Sequence, residues 1–445
     1  MGATYDAVVI GAGIAGLGIS GILARAGKRV LVLEKNPQVG GRAATFKKDG
    51  WVRSIGQHAA LKGQRYDTLL QTLGVDCPRE YFGDLQMYYE GQFKSILDII
   101  PTLVARLSPE DNLKIAETLL NPDVDLDALD DMAADVWIKE IITDEVLLDF
   151  MRMATVIMTT IPFMKDMAAS TLKESIMIIT RTMETWLAAN GMGEFMEAMA
   201  ADIRRHGGEI RTNTPVERIL IKDKKVLGVL AGEKIVAEVE GEFGNVTTIE
   251  APVVISAIPV WEIFKIAPQD EFPQDFVKKA WNVSARTANL GLTAGLKKSV
   301  YEGRGLLMVD YPSLGYPGSI FMPTNVCPNL APDGFQLFEA SIICDYDIRK
   351  DPEQLHHMMA MLNKDLQTWF PGWDKQALWI KNYFHYEEPK RTPGRAGRHR
   401  PDYTAAGIRG LYLCGDSIGS RCLPGMECAA DSAMTCAEIV LGTMK

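Results

Sequence analysis

Cysteine is scarce in this chain, seven in 445 residues with no Cys-X-X-Cys pair. Neither a disulfide framework nor a cysteine zinc site is expected, and a reducing, cytoplasmic compartment is the default. Histidine is scarcer still. Its six residues, at 58, 206, 356, 357, 385 and 399, lack metal-ligand spacing, so no metal is expected. Positive charge is in deficit, with 47 Lys+Arg against 57 Asp+Glu and a net charge of -10. That balance argues against a nucleic-acid partner. No apolar run reaches the roughly 18 residues that span a bilayer. The nearest candidates, 96–107 and 145–161, are broken by Pro, Arg or Asp. The apolar start lacks the basic leader of a signal peptide. No internal repeat, P-loop, HExxH, Ser/His/Asp order or paired-carboxylate signature is present.

What is present is ordinary globular composition in a chain too long for one core, so two or three domains are expected. The run from Asp6 to Ile10 reads as a buried strand. Gly11-Ala12-Gly13-Ile14-Ala15-Gly16 follows at once, and Leu17, Ile19, Ile22 and Leu23 continue at helical spacing to a stop at Gly27. A second apolar strand, Arg29 to Leu33, ends in Glu34, 18 positions beyond Gly16. Strand, GxGxxG, helix, strand and acid together form the full dinucleotide-binding context. Gly11 permits the tight turn, Gly13 lets a pyrophosphate reach the backbone, and Gly16 allows close helix–strand packing. Ile14 and Ala15 open the helix whose free N–H groups face the phosphates, and Glu34 can accept from ribose hydroxyls.

A Gly40-Gly41-Arg42 turn comes directly after Glu34 and Lys35, with Gly50 and Gly56 beyond it. With this extension the sequence resembles the flavin amine oxidase and phytoene desaturase superfamily, its phytoene desaturase-like branch in particular. The resemblance implies an α/β fold, a discontinuous Rossmann-like FAD-binding domain of the GR2 type joined to an α+β substrate-binding domain. It implies FAD, with Gly41 and Arg42 near the pyrophosphate and residues 43–45 near the flavin ring. The C-terminus matches as well. Gly410 to Asp416 reads as a strand ending in Gly415-Asp416, and Leu423-Pro424-Gly425-Met426 opens a long helix. In the resembled family the aspartate binds the ribityl or pyrophosphate part, and the helix start aims N–H groups at the flavin. Cysteine is absent between Tyr383 and Gly410, and Cys422 and Cys428 are offset from the position relatives use for a covalent link. Non-covalent FAD follows.

The family pattern places a helix from Met192 and a strand from Glu209 to Ile221 on the return to the FAD domain, with Val216 on the adenine. The FAD domain is expected from residues 1–75, 190–258 and 405–445, and the substrate domain from 76–189 and 259–404. Ten of the 21 methionines fall between Met151 and Met199, where they could line an apolar pocket or serve as core. Five basic residues between Lys390 and Arg400 sit in a Pro/Gly loop read mainly as solvated. His58, Tyr383 and His385 are the candidates for acid/base or substrate contact. Lys297 and Lys298 are read as solvated strand ends. Amine oxidases cage the flavin with two aromatics, and residues 417–420 supply none. The expected activity is therefore oxidoreduction or isomerisation at carbon–carbon bonds of an apolar, isoprenoid-like substrate, with a separate electron donor or acceptor. Peripheral contact with a membrane is part of that expectation. An amine oxidase and a non-catalytic FAD-binding protein are the alternatives.

Overall fold

The computed structural model describes residues 5–56, 59–82, 85–181, 184–232, 246–404 and 406–444. The chain enters through strand β1 (Ala7–Ile10), helix α1 (Ile14–Arg25) and strand β2 (Val30–Leu33). After α2 (Arg65–Thr72) comes a helical region that includes α3 (Leu126–Leu129), α4 (Glu145–Thr159) and α5 (Ala169–Ile179). It returns through α6 (Gly193–Arg205), β3 (Glu209–Arg211) and β4 (Val253–Ser256). It leaves again for β5 (Arg286–Leu296), β6 (Gln336–Asp345), α7 (Pro352–Trp369) and β7 (Ala377–Pro389). It closes with β8 (Leu411–Leu413) and α8 (Met426–Thr443).

Five of these strands form one parallel sheet in the order β3-β2-β1-β4-β8. Its central strands are apolar on both faces because helices cover one face and a small antiparallel sheet the other. Ala7, Val9, Val30 and Val32 pack toward α1, α2, α6 and α8. Val8, Ile10, Leu31 and Leu33 pack toward the strands Val216–Lys222 and Lys225–Gly232. A Cβ at Gly16 would sit 1.9 Å from the Gly11 carbonyl, so only glycine lets α1 come this close to the turn.

The sequence reads 209–221 as one strand. The structure has two, in different sheets. Asn213 is left-handed (φ 52°), Asn213 N donates to Asn36 O, and Thr214 N donates to Glu34 O. Pro215 has no N–H to continue a ladder, so the chain turns against the end of β2 and starts a new strand.

A second, seven-stranded sheet runs β7-β5-β6 and then Tyr316–Phe321, Leu306–Tyr311, Leu85–Tyr89 and Gln92–Ser95. Its faces differ by the strand period of two. Ala288, Leu290, Leu292, Phe338, Ala340 and Ile342 form one face, packed on α7. Register places Asn289, Gly291, Glu339, Ser341, Tyr383 and His385 on the other.

Two helices of the first layer are joined by a buried carboxylate. Glu427, in the first turn of α8, accepts from Tyr66 N of α2 at 2.8 Å and is 6% exposed. Burial pushes its pKa up to about 8. Because the folded value lies above the ordinary carboxylate range, the stability this group contributes is present at low pH and is lost as pH rises toward 8. The wild-type Tm is expected to fall between about pH 5 and 8, and Glu427→Gln to flatten that decline, as read by thermal unfolding across pH. Gly16→Ala is expected to destabilise the fold by about 3 kcal/mol or more, through overpacking against Gly11, in the same assay.

Candidate functional site

The loops at the carboxyl ends of β1, β2, β4 and β8 converge at one edge of the parallel sheet, where open α/β sheets bind ligands. Gly11 is left-handed (φ 98°) and turns the chain into α1. Gly13 caps that helix with no side-chain hydrogen bond, and a Cβ built on it meets nothing within 4 Å. The first-turn N–H groups, on Ile14, Ala15 and Gly16, therefore open onto clear space at the positive end of the helix. Glu34 is buried at 5% exposure. Its carboxylate accepts from Ala12 N at 2.8 Å and from Asn36 N and Nδ2 at 2.9 and 2.8 Å. It thus braces the glycine loop with its own oxygens, while Lys35 is exposed. Val216 begins its strand two residues after Thr214, which is bonded to the Glu34 carbonyl.

The second half of the edge joins residues nearly 400 apart. Gly40 N donates to Ala12 O at 2.7 Å and docks the left-handed Gly40-Gly41 turn on the first loop. Arg42 from that turn forms an ion pair with Asp416, just past β8, whose side chain is 6% exposed. Arg400 donates to the Asp416 carbonyl. Gly415 is left-handed (φ 123°), is held by Ser432 Oγ at 2.8 Å, and has open space where a Cβ would stand. Gly425 (φ 72°) caps α8 without a side-chain bond; Cys428 N donates back to Leu423 O at 3.1 Å, and the N–H groups of the buried Met426 and Glu427 lead the helix start. The fully buried Ser256 Oγ, at the carboxyl end of β4, has no hydrogen-bond partner among the described residues. Two helix starts without side-chain caps, two open glycine cradles and an orphan hydroxyl on one edge fit a dinucleotide.

The catalytic candidates are placed as follows. His58 lies outside the described residues. Tyr383 and His385 stack with ring centroids 4.9 Å apart, half-buried on the polar face of the second sheet. Lys297 and Lys298 are exposed just past the end of β5. Six of the ten methionines divide between two cores. Met192, Met196 and Met199 pack beneath the parallel sheet, and Met153, Met164 and Met167 within the helical region. Met153 also lines a cleft of about 380 Å³ with Met87, Met308 and Phe150.

The basic loop differs from its reading as a solvated segment. Arg391 and Arg400 are 2% and 3% exposed. Arg391 reaches Glu174 of α5 at 3.3 Å, and His399 lies 2.8 Å from Asp131, with Arg398 on the same carboxylate. Arg421 contacts Asp130 at 2.8 Å and Glu174 at 3.3 Å, with Asp127 alongside. Acids in and just after α3 and in α5, far away in sequence, pair with its arginines and histidine. Charge counting along the sequence cannot see that pairing. Glu339, Ser341 and Asn289, which register places on the same sheet face as Tyr383 and His385, were not among the sequence candidates. Alternation along 337–344 carries the signal, since Glu339 and Ser341 interrupt an otherwise apolar run.

No helix among the described residues is long and apolar enough to cross a membrane. The chain is similar over 98% of its length to prolycopene isomerase from Daucus carota, at 25% identity and covering 80% of that protein. A shorter stretch, 53 residues and 12% of the chain, is 53% identical to all-trans-retinol 13,14-reductase from Homo sapiens, covering 9% of it. Among solved structures, an oxidoreductase from Methanosarcina mazei superposes with a TM-score of 0.77 at 22% identity, covering 97% of this chain and 99% of that one. The model of the flavin containing amine oxidoreductases matches residues 14–441. The chain belongs to that family and is an FAD-dependent oxidoreductase, with an FAD-binding and a substrate domain.

Proposed function

We propose that this oxidoreductase acts on carbon–carbon bonds of an apolar, isoprenoid-like substrate, by desaturation, reduction or isomerisation. The observation that carries the reading is the likeness to prolycopene isomerase across nearly the whole chain, substrate region included. The retinol reductase likeness points the same way, since both names describe conjugated isoprenoids. The reading divides the chain into an FAD domain (1–75, 190–258, 405–445) and a substrate domain (76–189, 259–404).

FAD would be held non-covalently. Gly11, Gly13, Ile14, Ala15 and Gly16 would receive its pyrophosphate, while Glu34, Lys35 and Val216 would flank the adenosine. Gly41 and Arg42 would lie near the pyrophosphate, Gly415 and Asp416 would hold the ribityl or pyrophosphate part, and Gly425 and Met426 the flavin edge. Bound FAD supplies hydride transfer at N5. The chain's own groups position and shield. The Arg42–Asp416 pair orients the cofactor, and the start of α8 favours negative charge beside it. Tyr383 and His385 contribute a polar, half-buried wall on the substrate side. A separate electron donor or acceptor completes the cycle. Exposed Leu97, Val104 and Leu113, on the helices Ile96–Val104 and Pro109–Thr118, offer apolar contact for collecting substrate from a membrane.

The amine-oxidising alternative is distinguished directly. Anaerobic holoprotein in detergent is expected to isomerise or reduce lycopene or retinol isomers, detected by chromatography with absorbance, once its flavin is reduced. Primary amines are expected to leave the oxidised flavin spectrum unchanged, and anaerobic bleaching by an amine would overturn the proposal. Gly13→Ala is expected to leave the apoprotein's Tm unchanged, since its Cβ meets nothing. It should weaken FAD retention about tenfold or more, roughly 1.4 kcal/mol, measured by equilibrium dialysis.

A further inference from the structure

We propose that Cys422 and Cys428 form a redox-active dithiol that closes reversibly to a disulfide beside the start of α8. All seven cysteines are buried, and these two are set apart by geometry. Cys422 Sγ donates to Cys428 Sγ at 3.4 Å. Arg391 Nη2 donates to Cys428 Sγ at 2.6 Å, and its Nη1 donates to Cys422 O at 2.7 Å. Ser420 Oγ lies 2.9 Å from Cys422 Sγ. A guanidinium held against a sulfur is the environment of a thiolate, the nucleophilic form. The Cys422 hydrogen bond, with Arg391 and Arg400 adding to it, pulls the Cys428 pKa down to about 6 despite burial. Burial pushes Cys77 up to about 11 and Cys327, Cys344 and Cys436 to about 12. The hydrogen bond to Cys428, with burial, raises Cys422 as well, so Cys422 keeps its proton until a base takes it.

The oxidant is a small peroxide. The Cys428 thiolate attacks one peroxide oxygen, the O–O bond breaks, and the departing hydroxide takes the Cys422 proton to leave as water. Cys428 is then a sulfenic acid. The Cys422 thiolate attacks its sulfur, forming the S–S bond and expelling hydroxide, which leaves as a second water after taking up the proton Cys428 had released. Two thiols are oxidised and one peroxide is reduced. Cys422, 8% exposed against 0% for Cys428, is the partner through which a reducing thiol reopens the bond. In a reducing compartment a disulfide of this kind is a transient, sensing one. Closure cross-links the segment leading into α8 to that helix's first turn, across Gly425. An effect on FAD rests on the cofactor reading above, whereas the disulfide itself does not.

Folded holoprotein is treated with hydrogen peroxide, alkylated, and cleaved after Glu427, between the two cysteines. Before alkylation and cleavage, the expected result is an intact mass lower by two hydrogens. The peptides carrying Cys422 and Cys428 should stay joined until dithiothreitol separates them. Cys422→Ser is expected to abolish the joined peptide, and Cys436→Ala to retain it. Two separately alkylated peptides, a Cys428 sulfinic acid without a link, or a bond involving another cysteine would overturn the proposal. Should Cys422→Ser fail to fold, the wild-type peptide map decides alone.

Discussion

The parallel ladder that holds β1 between β2 and β4 is the constraint on which the site depends. Ala7 pairs with Val30 on one side and Val253 on the other, and β8 joins beyond β4. Because the strands run parallel in matched register, their carboxyl ends finish at one edge. The loops at Gly11, Glu34, Ser256 and Gly415 are brought together there from positions up to four hundred residues apart. None of those loops is a site alone. Arg42 meets Asp416 only because the sheet delivers both.

A second set of interactions ties the other half of the chain to this edge. Arg391, Arg400 and Arg421 are drawn inward by Asp130, Glu174 and the Asp416 carbonyl. Asp130 is fully buried, and its pKa is lowered, against burial, by Arg421 and the Arg398 N–H. Burying such charges costs desolvation energy, so they contribute more to a single arrangement than to net stability. Removing Arg421 would leave Asp130 buried without that counter-charge. The network lies between α3, α5 and the loop before α8, and so sets how the helical region sits against the cofactor edge.

The cofactor half was legible because its rules are local. Spacing from Gly11 to Glu34 encodes a turn, a helix start and an acid within a single βαβ unit, and each has its own steric reason. The Gly16 contact and the open space at Gly13 are the physical counterparts of that pattern. The polar face around Asn289, Ser341 and Tyr383 was half legible, since alternation is visible in each strand but the partner strands are not. The arginine loop was misjudged because Arg391 and Arg398 pair with acids more than 200 positions away.

By itself, the sequence determined a dinucleotide-binding edge, its likeness to flavin enzymes and the residues that open the two helices. These follow from backbone requirements within a few residues. Tertiary structure alone decided that 209–221 splits between two sheets, that Arg391 and Arg400 of the basic loop are buried, and that Cys422 and Cys428 touch beside Arg391. Such outcomes depend on which distant groups share a buried volume, where the low dielectric makes every charge and thiol answer to its neighbours rather than to its place in the chain.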